Sequence, residues 1–167
     1  HGARSAVGGG VDSLEHGVEI DAALALDMVE RGTYLVTTHS VWHSWRSFAD
    51  TTRIERFTEG AARLDARMEA ATESTRIAHA AGVAIAGGSD FGGGSVRAGH
   101  LAWEVEALVD CGLAPWEALA AVTWRGGDLL RESGAGRVTV GGPADFFLVH
   151  GNPLDDPAAL WRVWRVS

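Results

Sequence analysis

The chain has 167 residues, 46% of them hydrophobic, and a formal net charge of −8, with 14 basic residues that are all arginine and none lysine. A chain of this length and a mean hydropathy of +0.02 describe one folded domain with a real core. The negative balance argues against a nucleic-acid surface, which needs clustered Lys and Arg to neutralise phosphate. One cysteine, Cys111, excludes an internal disulfide and a multi-cysteine zinc knuckle. The absence of any apolar run of spanning length and of a recognisable signal peptide sets the expectation of a cytoplasmic protein with no membrane partner.

Residues 3 to 11 are small and glycine-rich and read as a short helix before a strand at Val11 to Glu15. Asp21 is placed as an N-cap, with Leu24, Met28 and Val29 at helical spacing and Gly32 as the stop. Thr33 to Thr38 is rich in β-branched and aromatic residues and reads as a second strand. His39 to Asp50, with its serines and tryptophans, reads as a loop. Thr52-Arg-Ile-Glu55 has the form of a capping box opening a long helix with Ile54, Phe57, Ala61, Leu64, Met68 and Ala71 on one face.

Gly82 ends that helix, and a third strand follows, running to Asp90. A glycine-rich loop over 92–99 leads to a helix near 100–111, a second helix opens at Pro115, and a third is expected near Gly127 to Glu132. Alternating strands and helices at this spacing are βα units of a parallel sheet. After Gly134 the texture changes: Arg137–Val140, Asp145–Val149 and Trp161–Val166 read as strands of a separate small sheet. The expected division is therefore 1–134 and 135–167.

The chemistry-bearing residues cluster where strands end. His16 closes the first strand before Gly17, and Asp90 follows the third. An imidazole and a carboxylate delivered by the carboxyl ends of parallel strands are suitable donors for a metal and for proton transfer. His39 and His43, beside Trp42 and Trp45, would line a pocket wall if their loop faces substrate, and His100 lies near the same mouth. Arg97 could hold a substrate carboxylate in bidentate fashion. Each has a plainer reading as a capping, packed or solvated side chain. Gly92-Gly-Gly-Ser95 lacks the lysine of a phosphate loop, and Ser89 lacks partners for a nucleophile triad.

Gly10-Val-Asp-Ser-Leu-Glu-His-Gly17, Arg31-Gly-Thr-Tyr-Leu-Val-Thr37, Ala81-Gly-Val-Ala-Ile-Ala-Gly-Gly-Ser-Asp90, Gly112-Leu-Ala-Pro-Trp-Glu-Ala-Leu119, Gly136-Arg-Val-Thr-Val-Gly-Gly-Pro-Ala-Asp145 and Gly151-Asn-Pro-Leu154 together resemble the amidohydrolase superfamily. The nearest branch is the imidazolonepropionase-like and Xaa-Pro dipeptidase-like metal-dependent hydrolases. The resemblance implies a (β/α)8 TIM barrel with a small β-sandwich, of which this chain matches roughly the last two-fifths: strands six to eight, their helices and the closing strands of the sandwich.

It also implies a divalent metal, zinc first and manganese, iron or cobalt as alternatives, and a metal-activated water that hydrolyses a carbon–nitrogen bond. The substrate class would be a small amide, cyclic amide or dipeptide. By position His16 matches the metal-ligand histidine after strand six. Asp90 matches the strand-eight aspartate that touches metal and acts as base, and His1 falls near the His-x-His-Gly of strand five.

Two departures stand against this. The strand-one His-x-His is absent, and the strand-four lysine cannot be present in a lysine-free chain. The competing expectation is thus a non-catalytic remnant or a split piece that self-associates or needs a complementing barrel fragment. A small flavodoxin-like binding domain is a third reading.

Overall fold

A computed structural model of the chain describes residues 2–52, 60–92 and 99–167. A short helix α1 (Gly2–Gly8) leads to strand β1 (Ser13–Glu15), helix α2 (Ala22–Arg31) and strand β2 (Tyr34–Thr37). Helices α3 (His39–Thr51) and α4 (Ala61–Ala81) precede strand β3 (Ile85–Gly87). Helices α5 (Leu101–Asp110), α6 (Pro115–Ala121) and α7 (Trp124–Leu129) follow. Strand β4 (Phe147–Val149), a 3₁₀ turn (Pro157–Trp161) and strand β5 (Val163–Val166) complete the described elements.

The first three strands form one parallel sheet in the order β1-β2-β3, with Leu14 opposite Leu35 and Leu35 opposite Ile85. Because alternate residues face opposite sides, that row carries Leu14, Leu35 and Ile85 onto the helices. There Leu24, Met28, Val105 and Leu108 complete the core. Gly17 belongs to this packing: at φ 58° it adopts a left-handed conformation, and a Cβ there would lie 2.2 Å from Leu35 Cδ1. The other face of the sheet, with Ser13, Glu15, Val36 and Ala86, borders an open cavity of about 500 Å³. Among the described residues the sheet is open, not a closed barrel: β1 and β3 each have one neighbour.

The helix ends follow local chemistry. Asp21 accepts from Leu24 N at 2.9 Å and caps α2, which Gly32 closes in the left-handed conformation. Gly82 ends α4 in the same way. Pro115 opens α6, and the Glu117 carboxylate reaches back to Ala114 N at 3.0 Å.

Three expectations are corrected. Residues 39–50 are not a loop but most of α3, a 13-residue helix. The segment contains neither Gly nor Pro, and Val41, Trp42, Trp45 and Phe48 fall at helical spacing, so burial of that face overrides the modest helix preference of its serines. The strand expected at Arg137–Val140 does not form, because no neighbouring strand pairs with it; Val138 is 89% exposed. The last helix of the α/β part spans 124–129, not 127–132. The capping box runs through Arg53, Ile54 and Glu55, outside the described residues, as does Phe57. The second sheet is β4 antiparallel to β5, with an irregularity between Leu148 and Val149.

A polar seam runs between α3, α4 and α5. His39 is 4% exposed, and its Nε2 lies 3.0 Å from Thr75 Oγ1. Thr75 donates its own hydroxyl proton to Ala71 O at 3.0 Å, so His39 Nε2 is the protonated nitrogen of a neutral ring. Burial, with a smaller contribution from neighbouring His43, lowers the His39 pKa from 6.5 to about 4.

Two outcomes follow. Truncating the fully buried core residue in Leu35→Ala should cost about 2–5 kcal/mol in urea unfolding. Between pH 6.5 and about 4 the unfolded chain protonates at His39 while the folded chain does not. Stability should therefore fall with pH across that window, by up to about 3 kcal/mol from this group. His39→Gln should flatten that part of the profile; an unchanged slope would assign it to other groups.

Candidate functional site

The carboxyl ends of β1, β2 and β3 meet at one edge of the parallel sheet. The ladder runs beyond the strands: His16 N donates to Val36 O at 2.9 Å, and Gly88 N donates to Thr37 O at 2.8 Å. His16 and Asp90 are thus set on either side of the β2 terminus. Both are exposed, and both hold a left-handed backbone, His16 at φ 68° and Asp90 at φ 45°. Glu19 and Arg131 share that conformation in turns, so it marks a sharp change of direction rather than a site by itself. His16 follows β1 directly, and Asp90 comes three residues after the end of β3 at Gly87. Strained positive φ at non-glycine residues is concentrated at functional sites.

His16 Nδ1 lies 2.8 Å from Thr38 Oγ1. Where Nδ1 is the donor in that contact, Nε2 keeps its lone pair for a metal, the arrangement common to ligating histidines. Asp90 offers two carboxylate oxygens. Backbone and donor chemistry therefore fit part of a divalent-metal ligand set. No group of three His, Cys, Asp or Glu side chains assembles among the described residues, and His1 lies outside them. Catalytic zinc ordinarily takes three protein ligands, so His16 and Asp90 alone would not complete such a set.

The remaining candidates are placed elsewhere. His39 opens α3 and is buried against Thr75, with Cys111 Sγ 3.8 Å from its Nε2. His43 is half-buried one turn on, stacked on Trp103 with ring centroids 6.0 Å apart. Burial holds its pKa below the ordinary value, while Glu106 and Asp110 oppose the shift. These two histidines border a small cavity of about 180 Å³ with Trp42, Met68 and Asp110, between helices rather than at the strand ends. His100 packs edge-on against Trp103 and Trp161 at 4.5 and 5.0 Å. This joins α5 to the 3₁₀ turn, where Trp161 Nε1 donates to Glu106 Oε1 at 2.7 Å. Arg97 lies outside the described residues.

Two residues near the strand ends had no role in the sequence reading. Thr38 touches His16 directly. Glu104 is completely buried, and its Oε2 accepts from Ser40 N at 2.8 Å. Burial raises its pKa, against lowering by hydrogen bonds from Thr37, Ser40 and His39. A signal was legible: Glu104 falls among Leu101, Val105 and Leu108 on the apolar stripe of α5, where an acid is costly.

Comparison with known proteins shows the family and the fold. An uncharacterized protein of Mycobacterium tuberculosis is 30% identical over 155 residues, 92% of this chain and 40% of the relative. A Xaa-Pro dipeptidase solved with methionine in its active site superposes with a TM-score of 0.83 at 29% identity, over 99% of this chain and 40% of that one. A prolidase solved with N-methylphosphonate-L-proline gives 0.80 at 27% identity, over 99% and 40%. The chain thus spans about 40% of the length of the curated relatives it matches. The amidohydrolase family profile matches residues 3–166, and the chain belongs to the amidohydrolase family.

Proposed function

We propose that the chain supplies part of the active site of a metal-dependent hydrolase of carbon–nitrogen bonds. His16 is one metal ligand; Asp90 is a second ligand and the general base. The observation that carries this reading is the placement of both residues, each on a left-handed backbone, beside the carboxyl end of β2. In α/β architectures the ends of parallel strands are where catalytic side chains are delivered. His1 is a candidate third donor. Zinc is the first candidate metal, with manganese, iron and cobalt suited to the same donors.

When bound, such an ion would supply a water of lowered pKa. Asp90 would take the proton of the attacking water and pass it to the leaving nitrogen, which must depart as a neutral amine. His16 holds its ring fixed through Nδ1. The two related structures hold methionine and a proline analogue, which supports a small amide or dipeptide-like substrate with a free carboxylate. Arg97 is the candidate partner for that carboxylate.

A second reading is favoured by the open sheet, in which β1 and β3 each keep an unpaired edge among the described residues. In it the chain is a split or non-catalytic piece that completes its barrel with another segment or a second copy.

Elemental analysis of the purified 167-residue chain, loaded with zinc and desalted, decides between them. The first reading expects retained metal that is lost in His16→Ala and in Asp90→Ala. It also expects Xaa-Pro dipeptide hydrolysis that falls about 10²- to 10⁴-fold in Asp90→Asn. A folded chain that retains no metal would transfer the site to a completed assembly.

A further inference from the structure

Thr38 stands at the N-cap of α3, where a threonine hydroxyl ordinarily accepts a hydrogen bond from the second or third amide of the helix. It makes no such bond. Its Oγ1 is instead 2.8 Å from His16 Nδ1. The amide that Thr38 would have capped, Ser40 N, donates to Glu104 Oε2 at 2.8 Å, from a side chain 64 residues away on α5. The cap of α3 has changed hands.

The exchange is built into the packing. A Cβ on Gly87 would lie 3.2 Å from Glu104 Cγ, so the stem of Glu104 occupies the space beside β3 that a larger residue would claim. Ser40 Oγ donates to Gly88 O at 3.4 Å, which ties the same helix start to the strand end leading to Asp90. The arrangement is costly, because Glu104 Oε1 is buried without a hydrogen-bond partner among the described residues. A leucine on this apolar stripe would avoid that cost. Stability alone therefore does not account for an acid here.

We infer that Thr38 and Glu104 are positioning residues for His16. Glu104 caps α3 in place of Thr38, and the freed Thr38 hydroxyl accepts from His16 Nδ1, turning the unprotonated Nε2 outward as a donor. The inference rests on the reading of His16 as a metal ligand, but its first readout does not.

Long-range ¹H–¹⁵N NMR of the metal-free 167-residue chain at pH 8 reports the tautomer of His16, with the resonance assigned by its loss in His16→Gln. The parent should show the Nδ1–H form. Thr38→Val should lose it and Thr38→Ser should keep it. Glu104→Leu should lose it as well, because Thr38 is then recruited to Ser40 N; Glu104→Gln, still an acceptor, should keep it. Glu104→Met, closer in shape, replaces the leucine variant if that one does not fold.

Zinc titration of the same proteins should show about 10- to 100-fold weaker binding in the valine and leucine variants, restored in the serine and glutamine variants. A parent in the Nε2–H form, or a Thr38→Val spectrum identical to the parent, overturns the role of Thr38. An Nδ1–H form that persists in Glu104→Leu or Glu104→Met overturns the role of Glu104. Tautomers as expected in a parent that binds no zinc would leave the positioning pair intact and move the ligand role of His16 from this chain to a completed assembly.

Discussion

The pairing of β2 with both of its neighbours is the constraint on which the strand-end geometry depends. The strands are only three or four residues long, yet their registers fix two things together. Leu14, Leu35 and Ile85 fall in one row against the helices, and His16 and Asp90 emerge at the same edge. A slip of one residue would turn the apolar row to the wrong face and carry the two candidate donors away from each other. Hydrophobic burial thus enforces the register, and the register places the chemistry. The bonds from His16 N to Val36 O and from Gly88 N to Thr37 O extend this control beyond the strands themselves.

Behind that edge the interior is unusually polar. Thr37, Thr38, His39, Ser40, Ser74, Thr75 and Glu104 are all buried. Each hydrogen bond between them contributes modestly on balance, whereas an unmade one costs more. Such a seam tolerates one arrangement and penalises the rest. It joins the starts of α3 and α5 to the ends of β2 and β3 with directional contacts, where an apolar contact would leave more freedom to slide.

Much of the fold was legible because its determinants are local. Asp21, Gly32, Gly82 and Pro115 act through backbone conformation and capping within a few residues, and the helix ends they mark were read correctly. The family resemblance was legible for a different reason, in that its motifs keep their order along nearly the whole chain. What escaped reading depends on distance. Helix α3 was taken for a loop because its serines weigh locally, while the burial that stabilises it comes from α4 and α5. Arg137–Val140 has the composition of a strand and lacks a partner, which composition does not report. His39 and His43 were weighed as a pocket wall or a surface loop; they lie on a helix, border a small cavity between helices, and contact Thr75 and Trp103. The link between Ser40 and Glu104 spans 64 residues, and no local pattern contains it.

The left-handed backbone at His16 and Asp90 has an evolutionary consequence. An L-residue with a Cβ ordinarily pays roughly 1 kcal/mol or more to hold that conformation, asparagine, aspartate and histidine less than most, whereas glycine adopts it freely. On the proposed reading, the ligand pair asks of the fold a backbone that glycine would hold more cheaply, so lineages without the chemistry would be expected to show glycine or asparagine at these two positions before the apolar row behind them changed.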